Sequence, residues 1–309
     1  MNQTNAAQAK LFPGFSSHLF KGSEADIHYL RAGVGPPVLM LHGYPQTLSC
    51  WHRVAPALSS RYTVICADLR GYGDSSKPKG LPDHSNYSKR VMANDMVELM
   101  SSQGFERFHL VGHDRGGRVS HRMALDHPKN VHTISVLDIS PTLKMFERTD
   151  MHFARAYYHW FFMLQPSPLP EEMLAGRVPF NILGRVGRSE PDLSNFSPEA
   201  IEEYVRVFSS PKAVHSSCED YRASGGIDLD HDRADRASGL KLKMPLQALW
   251  GSTGVVASMF DCLADWQEVA LDVTGKALPC GHFIPEEAPE QTLVELLAFF
   301  SKHPLEQNK

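Results

Sequence analysis

Residues Gly112-His113-Asp114-Arg115-Gly116 place an acid between two glycines at the spacing of a sharp strand-to-helix turn. An apolar run, Phe108 to Val111, leads into it, and an amphipathic segment from Gly117 to about Asp126 leads out. Such a turn lifts its middle residue clear of the backbone as a nucleophile. In the G-x-S-x-G version that residue is a serine and its target is an acyl carbon. Here it is a carboxylate, which changes the reaction. A serine that attacked a saturated carbon would form an ether with no ready route back to free enzyme. An aspartate forms an ester, which water cleaves at the ester's own carbonyl carbon. Asp114 therefore points to alkyl transfer followed by hydrolysis.

Arg115 and Arg118 narrow the substrate. They stand one helical turn apart at the start of the segment after the nucleophile, where cations oppose the helix macrodipole and need a reason to be there. Two guanidinium groups beside Asp114 would offer the planar fork geometry that binds a carboxylate. An anionic nucleophile and an anionic substrate repel each other, so cations at this point are close to necessary. The plainer alternative is that both arginines are solvated, or that Arg118 pairs with a nearby surface acid.

The elements that must hold these groups follow from the apolar patterning. His18 to Phe20 and Ala25 to Arg31 alternate around Lys21-Gly22-Ser23 as an opening hairpin. Short apolar runs follow at Pro37 to Leu41, Tyr62 to Ala67, Phe108 to Val111 and His132 to Leu137, with helical patterns at Cys50 to Leu58 and Tyr87 to Gln103. Buried strands alternating with helices predict a mostly parallel, doubly wound sheet. From Pro141 to Gly239 the strand runs cease. Aromatics, prolines and helical stretches such as Asp150 to Leu164 and Pro198 to Phe208 replace them. The sheet rhythm resumes at Pro245 to Trp250, continues near Val269 to Val273, and closes with a helix from Glu287 to Ser301. The expected organisation is α/β: a core over 1–140 and 240–309 and a helical cap over 141–239.

Composition excludes several classes of partner. The 309 residues carry a net charge of −4 with both signs mixed, which argues against nucleic acid or an anionic membrane. Five cysteines, odd in number and widely spaced, show no metal-like clustering and read as free thiols in a reducing cytosol. Residues Met1 to Lys10 lack the apolar stretch of a signal peptide, and no run reaches membrane-spanning length. A cytoplasmic protein is expected. Residues Lys302 to Lys309 read as a frayed tail.

The elbow, the His42-Gly43-Tyr44-Pro45 turn, the Asp68 to Ser75 loop and the late Gly281-His282-Phe283 resemble the α/β-hydrolases of the Asp-nucleophile branch, which include haloalkane dehalogenases and epoxide hydrolases. Haloalkane dehalogenases and epoxide hydrolases usually carry an aromatic residue after the nucleophile. Here that position is Arg115, and the string Asp114-Arg115-Gly116-Gly117-Arg118 is similar to that of the fluoroacetate dehalogenases. The resemblance implies an α/β-hydrolase core with an inserted helical cap, no metal or organic cofactor, a homodimer, and hydrolysis of short 2-halocarboxylates such as fluoroacetate and chloroacetate to 2-hydroxy acids.

The same resemblance assigns roles to further residues. His282 lies in the loop after the last strand, where this fold keeps the histidine that activates water. Its orienting acid stands after either of two strands in such hydrolases. The later position, Trp250 to Val256, has no acid until Asp261, whereas Asp138 ends an earlier strand run and is the better candidate. His159, Trp160 and Tyr221 match the halide-binding positions. The Tyr44 and Arg115 backbone N–H groups would form the oxyanion hole. His113, Asp68, Arg70 and Asp74 read as scaffold. Two other functions stay open. An epoxide hydrolase would use Tyr157 or Tyr158 with Tyr221 to protonate the opening oxygen, and a non-catalytic sensor would bind small acids without turnover.

Overall fold

The computed structural model describes residues 6–186 and 193–305. Residues 1–5 and 306–309, which include part of the tail read as frayed, lie outside the described residues. Eight strands form one sheet: β1 (Ser16–Lys21), β2 (Asp26–Ala32), β3 (Pro37–Leu41), β4 (Thr63–Ala67), β5 (Phe108–His113), β6 (Val131–Leu137), β7 (Leu246–Gly251) and β8 (Val273–Leu278). Their order is β1-β2-β4-β3-β5-β6-β7-β8. β1 and β2 form the antiparallel hairpin expected from the alternation, and β2 also runs antiparallel to β4. Every other pairing is parallel. Each residue of β3, β4 and β5 is buried, as sheet covered on both faces requires, and this is why these strands read as unbroken apolar runs.

The helices outside the long insertion are α1 (Ala6–Leu11), α2 (Ala55–Leu58), α3 (Lys89–Ser102) and α4 (Arg115–Asp126). Between β6 and β7 come α5 (Thr142–Glu147), α6 (Met151–Ala156), α7 (Tyr158–Met163), α8 (Leu169–Leu174), α9 (Val178–Val186), α10 (Pro198–Phe208), α11 (Pro211–Ser224) and α12 (Ile227–Ser238). The chain then adds α13 (Val255–Met259), α14 (Cys262–Val269), α15 (Ile284–Glu287) and α16 (Pro289–Lys302).

Four elements differ from the sequence expectation. The strand expected near Val269 to Val273 lies at Val273–Leu278, and Val269 instead ends α14. β8 is the sheet edge and most of its residues are exposed, so it carries no apolar run to mark it. The helix expected over Asp150 to Leu164 divides at Tyr157, whose backbone (φ −112°, ψ 35°) leaves the helical region. The stretch Cys50 to Leu58 yields a single 3-10 turn, Leu48–Trp51, and the four residues of α2. Tyr221, expected in a loop, lies within α11.

Register brings the chemistry to one edge. Leu41 pairs with Gly112, His113 with Leu137, and Leu137 with Leu249. Strands spaced about 4.8 Å apart thus deliver the turn after β3, the elbow after β5 and Asp138 after β6 side by side. The polar residues read as scaffold behave as such. Asp68 accepts from His28 and from the Leu48 and Asp74 amides, and Arg70 forks onto Asp95. Trp51 and Trp266 are core side chains.

Candidate active site

Asp114 sits at φ +45°, ψ −113°, a conformation that costs a non-glycine residue about 1–3 kcal/mol. Neighbouring glycines make the turn possible. A Cβ on Gly116 would lie 2.4 Å from the Leu41 carbonyl oxygen, and one on Gly43 would lie 2.4 Å from the Asp114 Cβ. The turn after β3 thereby closes on the nucleophile, and Tyr44 N–H donates to Asp114 Oδ1 at 2.9 Å. With Oδ1 held by that amide, Oδ2 is the oxygen turned toward His282, whose Nε2 stands 4.0 Å away. Burial pushes the Asp114 carboxyl up, but His282, Arg115 and Arg118 outweigh it and hold the group below the ordinary carboxylate range. At neutral pH it is an anion.

His282 is fixed from three directions. Its Nδ1–H donates to Asp138 Oδ2 at 2.5 Å, and Asp138 Oδ1 accepts from Gly251 N–H at 2.9 Å. The neighbouring amides of Gly281 and Phe283 donate to the two oxygens of Glu287, at 2.5 and 2.8 Å. Below the ring, His113 Nε2–H donates to the His282 carbonyl at 2.8 Å. Burial lowers the His113 pKa to about 3, so it supports the loop as a neutral ring. A histidine that donates through Nδ1 to a carboxylate presents Nε2 as a base. Its 4.0 Å separation from Oδ2 is too long for a direct hydrogen bond and leaves the base beside the carbonyl that a water must attack.

The two arginines are both buried but differ in their surroundings. Arg115 forks onto Asp220, with Nε to Oδ2 at 2.8 Å and Nη2 to Oδ1 at 2.7 Å, and Nη2 also donates to Ser224 Oγ. Its Nη1 has no partner among the described residues. Arg118 has no carboxylate partner among them. It donates to Thr142 Oγ1 at 3.0 Å and approaches the Met145 sulfur, while its Nε is buried and unpartnered. Burial, then the charge of Arg115, lowers the Arg118 pKa from its ordinary value, against the smaller opposing pull of Asp114.

Of the three residues expected to bind halide, Trp160 and Tyr221 stand against these guanidinium groups and His159 packs beside Tyr221. Arg118 lies over the Trp160 ring at 4.7 Å and Arg115 over the Tyr221 ring at 4.3 Å. His159 packs edge-on to Tyr221 at 5.7 Å and over the Tyr44 ring at 6.3 Å. Trp160 Nε1 is buried with no acceptor among the described residues. A cavity of about 550 Å³ lies over the nucleophile, lined in part by Tyr44, Asp114, Arg155, Tyr157, His159 and His282. Helix α4 starts at Arg115, so the Arg115 N–H has no acceptor within the helix. Buried donors around an anionic nucleophile suit a reaction that starts and ends with anions.

Sequence reasoning missed Asp220, Lys89, Ser224 and Tyr72. Lys89 Nζ pairs with Asp220 Oδ1, and Tyr72 O–H donates to Asp220 Oδ2 at 2.5 Å. The signal for Asp220 was its place next to Tyr221 in a charged stretch, Glu219-Asp220-Tyr221-Arg222. Glu171, His215 and Glu219 have metal-like spacing, but Arg222 bridges the two glutamates there, so the cluster already holds its cation.

The family model for the alpha/beta hydrolase fold matches residues 36–289. A fluoroacetate dehalogenase from Burkholderia sp is 47% identical over 292 residues, spanning 94% of this chain and 95% of that protein. A soluble epoxide hydrolase from Corynebacterium sp. (strain C12) is 36% identical over 279 residues, 89% of this chain and 93% of its own length. Among solved structures, an α/β hydrolase from Nostoc sp PCC 7120 superposes with a TM-score of 0.91 at 50% identity, covering 93% of this chain and 98% of that one. The chain belongs to the α/β-hydrolase family and, within it, to the group that holds the Burkholderia fluoroacetate dehalogenase.

Proposed function

We propose that the protein hydrolyses short 2-halocarboxylates, fluoroacetate and chloroacetate among them, to 2-hydroxy acids. The observation that carries this reading is Arg118, a buried guanidinium without a carboxylate partner among the described residues, beside a carboxylate nucleophile. Arg118 and the Arg115 Nη1 hold the substrate carboxylate so that its halogen-bearing carbon faces Asp114. Oδ2 attacks that carbon in line and the halide leaves toward Trp160, with His159 and Tyr221 beside it. Fluoride is a poor leaving group outside water, so donors placed where its charge develops supply much of the rate. His282 Nε2 then takes a proton from water as the water adds to the ester carbon. The charge that forms on Oδ1 meets the Tyr44 and Arg115 amides. Collapse expels the 2-hydroxy acid, which takes its proton from His282, and Asp114 is restored with an oxygen from water. A chiral carbon is inverted.

The division into a core over 1–140 and 240–309 and a cap over 141–239 belongs to this proposal. It is supported by α5 to α12 following one another with no intervening strand among the described residues. The reaction needs no metal or organic cofactor. A homodimer is part of the same proposal, supported by an apolar groove on the insertion that includes Tyr158, Phe162, Met173 and Phe180. Five free, buried cysteines support a reducing, cytoplasmic setting. No helix is long and apolar enough to cross a membrane among the described residues.

The second reading, an epoxide hydrolase, is favoured by Tyr157 on the cavity wall and Tyr221 packed against the cavity-lining His159. Arg118, which has no carboxylate salt-bridge partner among the described residues, opposes it unless the epoxide is itself an acid. A binding protein without turnover would keep its affinity in Asp114→Asn. The deciding measurement is fluoride release from fluoroacetate at an ion-selective electrode, with Asp114→Asn as the blank. Release confined to the wild type establishes the displacement. Its absence would move chloroacetate and acidic epoxides to the front.

A further inference from the structure

We propose that Asp220 is a positioning residue for the substrate's acid group: it takes both prongs of Arg115, so that Arg115 orients the carboxylate through Nη1 alone and Arg118 supplies the charge that recruits it. This inference rests on the 2-halo acid reading. Its ground is the unequal treatment of the two arginines. Arg115 spends Nε and Nη2 on Asp220 and Ser224, whereas the hydrogen bonds of Arg118 among the described residues go to a hydroxyl, a carbonyl and a thioether. With Nε and Nη2 taken up, Arg115 loses the second fork that a guanidinium otherwise offers. Only its remaining nitrogen is on offer.

The groups facing Asp220 come from four elements. Lys89 stands at the start of α3, Arg115 at the start of α4, Tyr72 in the loop after β4, and Ser224 one turn further along α11. Lys89 also approaches Asp228 at 3.3 Å, so the cluster balances two cations with two acids, all buried. Attaching α11 to the core would not require this, because apolar side chains of similar volume hold helices together as well or better than buried ion pairs. What the pairs add is direction. Asp220 precedes Tyr221, over whose ring the Arg115 guanidinium lies at 4.3 Å, so one turn of α11 fixes that group both in plane and from above. The donor left over, Nη1, is buried and unpartnered, a costly state unless a ligand meets it.

Two variants separate positioning from charge. Asp220→Asn keeps the shape but removes a negative charge next to Arg115. Acetate, an unreactive carboxylate, should then bind about two- to tenfold more tightly by calorimetry, because one Coulomb contribution opposing an anion is gone. With chloroacetate, kcat per folded enzyme should fall at least about tenfold, since displacing a reacting group by about 1 Å costs up to about a hundredfold. Ser224→Ala loosens Arg115 without changing charge, so kcat should fall several-fold with acetate affinity unchanged. Unchanged or weaker acetate binding in Asp220→Asn, or an unchanged kcat in either variant, overturns the proposal. If Asp220→Asn does not fold, the Ser224→Ala result decides it. Wild-type enzyme that releases no halide would sink the haloacid reading instead, and the acetate measurement would still test the charge argument.

Discussion

Replacing Glu286 by glutamine should raise stability at alkaline pH and leave it unchanged in acid. Glu286 lies in α15, four residues after His282, and is fully buried. Its Oε2 accepts from Gln46 Nε2 and from the Tyr204 hydroxyl at 3.0 Å, while Oε1 has no hydrogen-bond partner among the described residues. Burial raises its pKa from 4.5 to about 8, against the smaller opposing pull of Tyr204, Gln46 and Arg53. Below pH 4.5 the folded and unfolded chains both hold the proton, and ionisation costs nothing. Between 4.5 and about 8 the unfolded chain releases it and the folded chain keeps it, so stability falls as pH rises. At about 1.4 kcal/mol per pH unit, the loss is complete above pH 8 and amounts to at most about 5 kcal/mol.

Glutamine reproduces the protonated acid, with an acceptor for Gln46 and Tyr204 and an amide where the acid carries its proton. Thermal unfolding followed by circular dichroism from pH 4.5 to 9 tests this. The two proteins should melt together at pH 4.5 and separate by up to about 10 °C at pH 8.5, taking about 2 °C per kcal/mol for a chain of this size. Parallel Tm curves across the range, or a glutamine protein less stable at pH 8.5, would refute the claim that the folded protein holds this acid neutral.

Trp160→Phe removes the buried Nε1 donor and keeps most of the ring that Arg118 overlies. It should lower kcat by about a hundredfold for fluoroacetate, the size of losing one transition-state donor, and by much less for bromoacetate, whose leaving ion is larger and less basic; an equal loss for both would remove the halide role. His282→Gln should complete the first step and stall, so that intact-protein mass after chloroacetate shows one added carboxymethyl group, and an unmodified mass would contradict the assigned order of events. Arg118→Gln should cut kcat/KM for chloroacetate by more than about a hundredfold, since it leaves an anion buried without its cation. Arg118→Lys should recover part of that, because it restores the recruiting charge without the planar fork; no recovery in steady-state kinetics would show that charge is not what Arg118 supplies.

How much of this was legible in the chain depended on the distance over which each feature is encoded. The elbow and the strand runs are local. Gly112, Asp114 and Gly116 specify a turn through backbone geometry alone, and strands buried on both faces announce themselves as apolar runs. β8 is as integral to the sheet as β7, but at the edge with one flank open its residues need not be apolar. Tyr221 was expected in a loop because α11 is buried on nearly every side, which erases the apolar stripe by which surface helices are recognised. Asp220 was illegible for a different reason. It acts through Lys89 and Arg115, 131 and 105 residues away, and only folding brings those charges together.

The placement of charge along α4 limits how the insertion can move. Arg115, Arg118 and Arg122 recur at spacings of three and four residues, which puts them on one face of α4, and each grips the insertion. Arg115 holds Asp220 of α11, Arg118 holds Thr142 of α5, and Arg122 holds Asp232 and Asp235 of α12. All three guanidinium groups are buried, and parting them from the insertion would break two sets of ion pairs and the Arg118 hydrogen bond together. Along α4 the insertion is therefore clamped to the core. The cavity is lined away from this clamp, by Arg155, Gly184 and Val255 among others, and Arg155 is exposed there. On the clamped side Arg115 and Arg118 share α4 with the elbow that carries Asp114, and their contacts to α11 and α5 tie the insertion to that same helix.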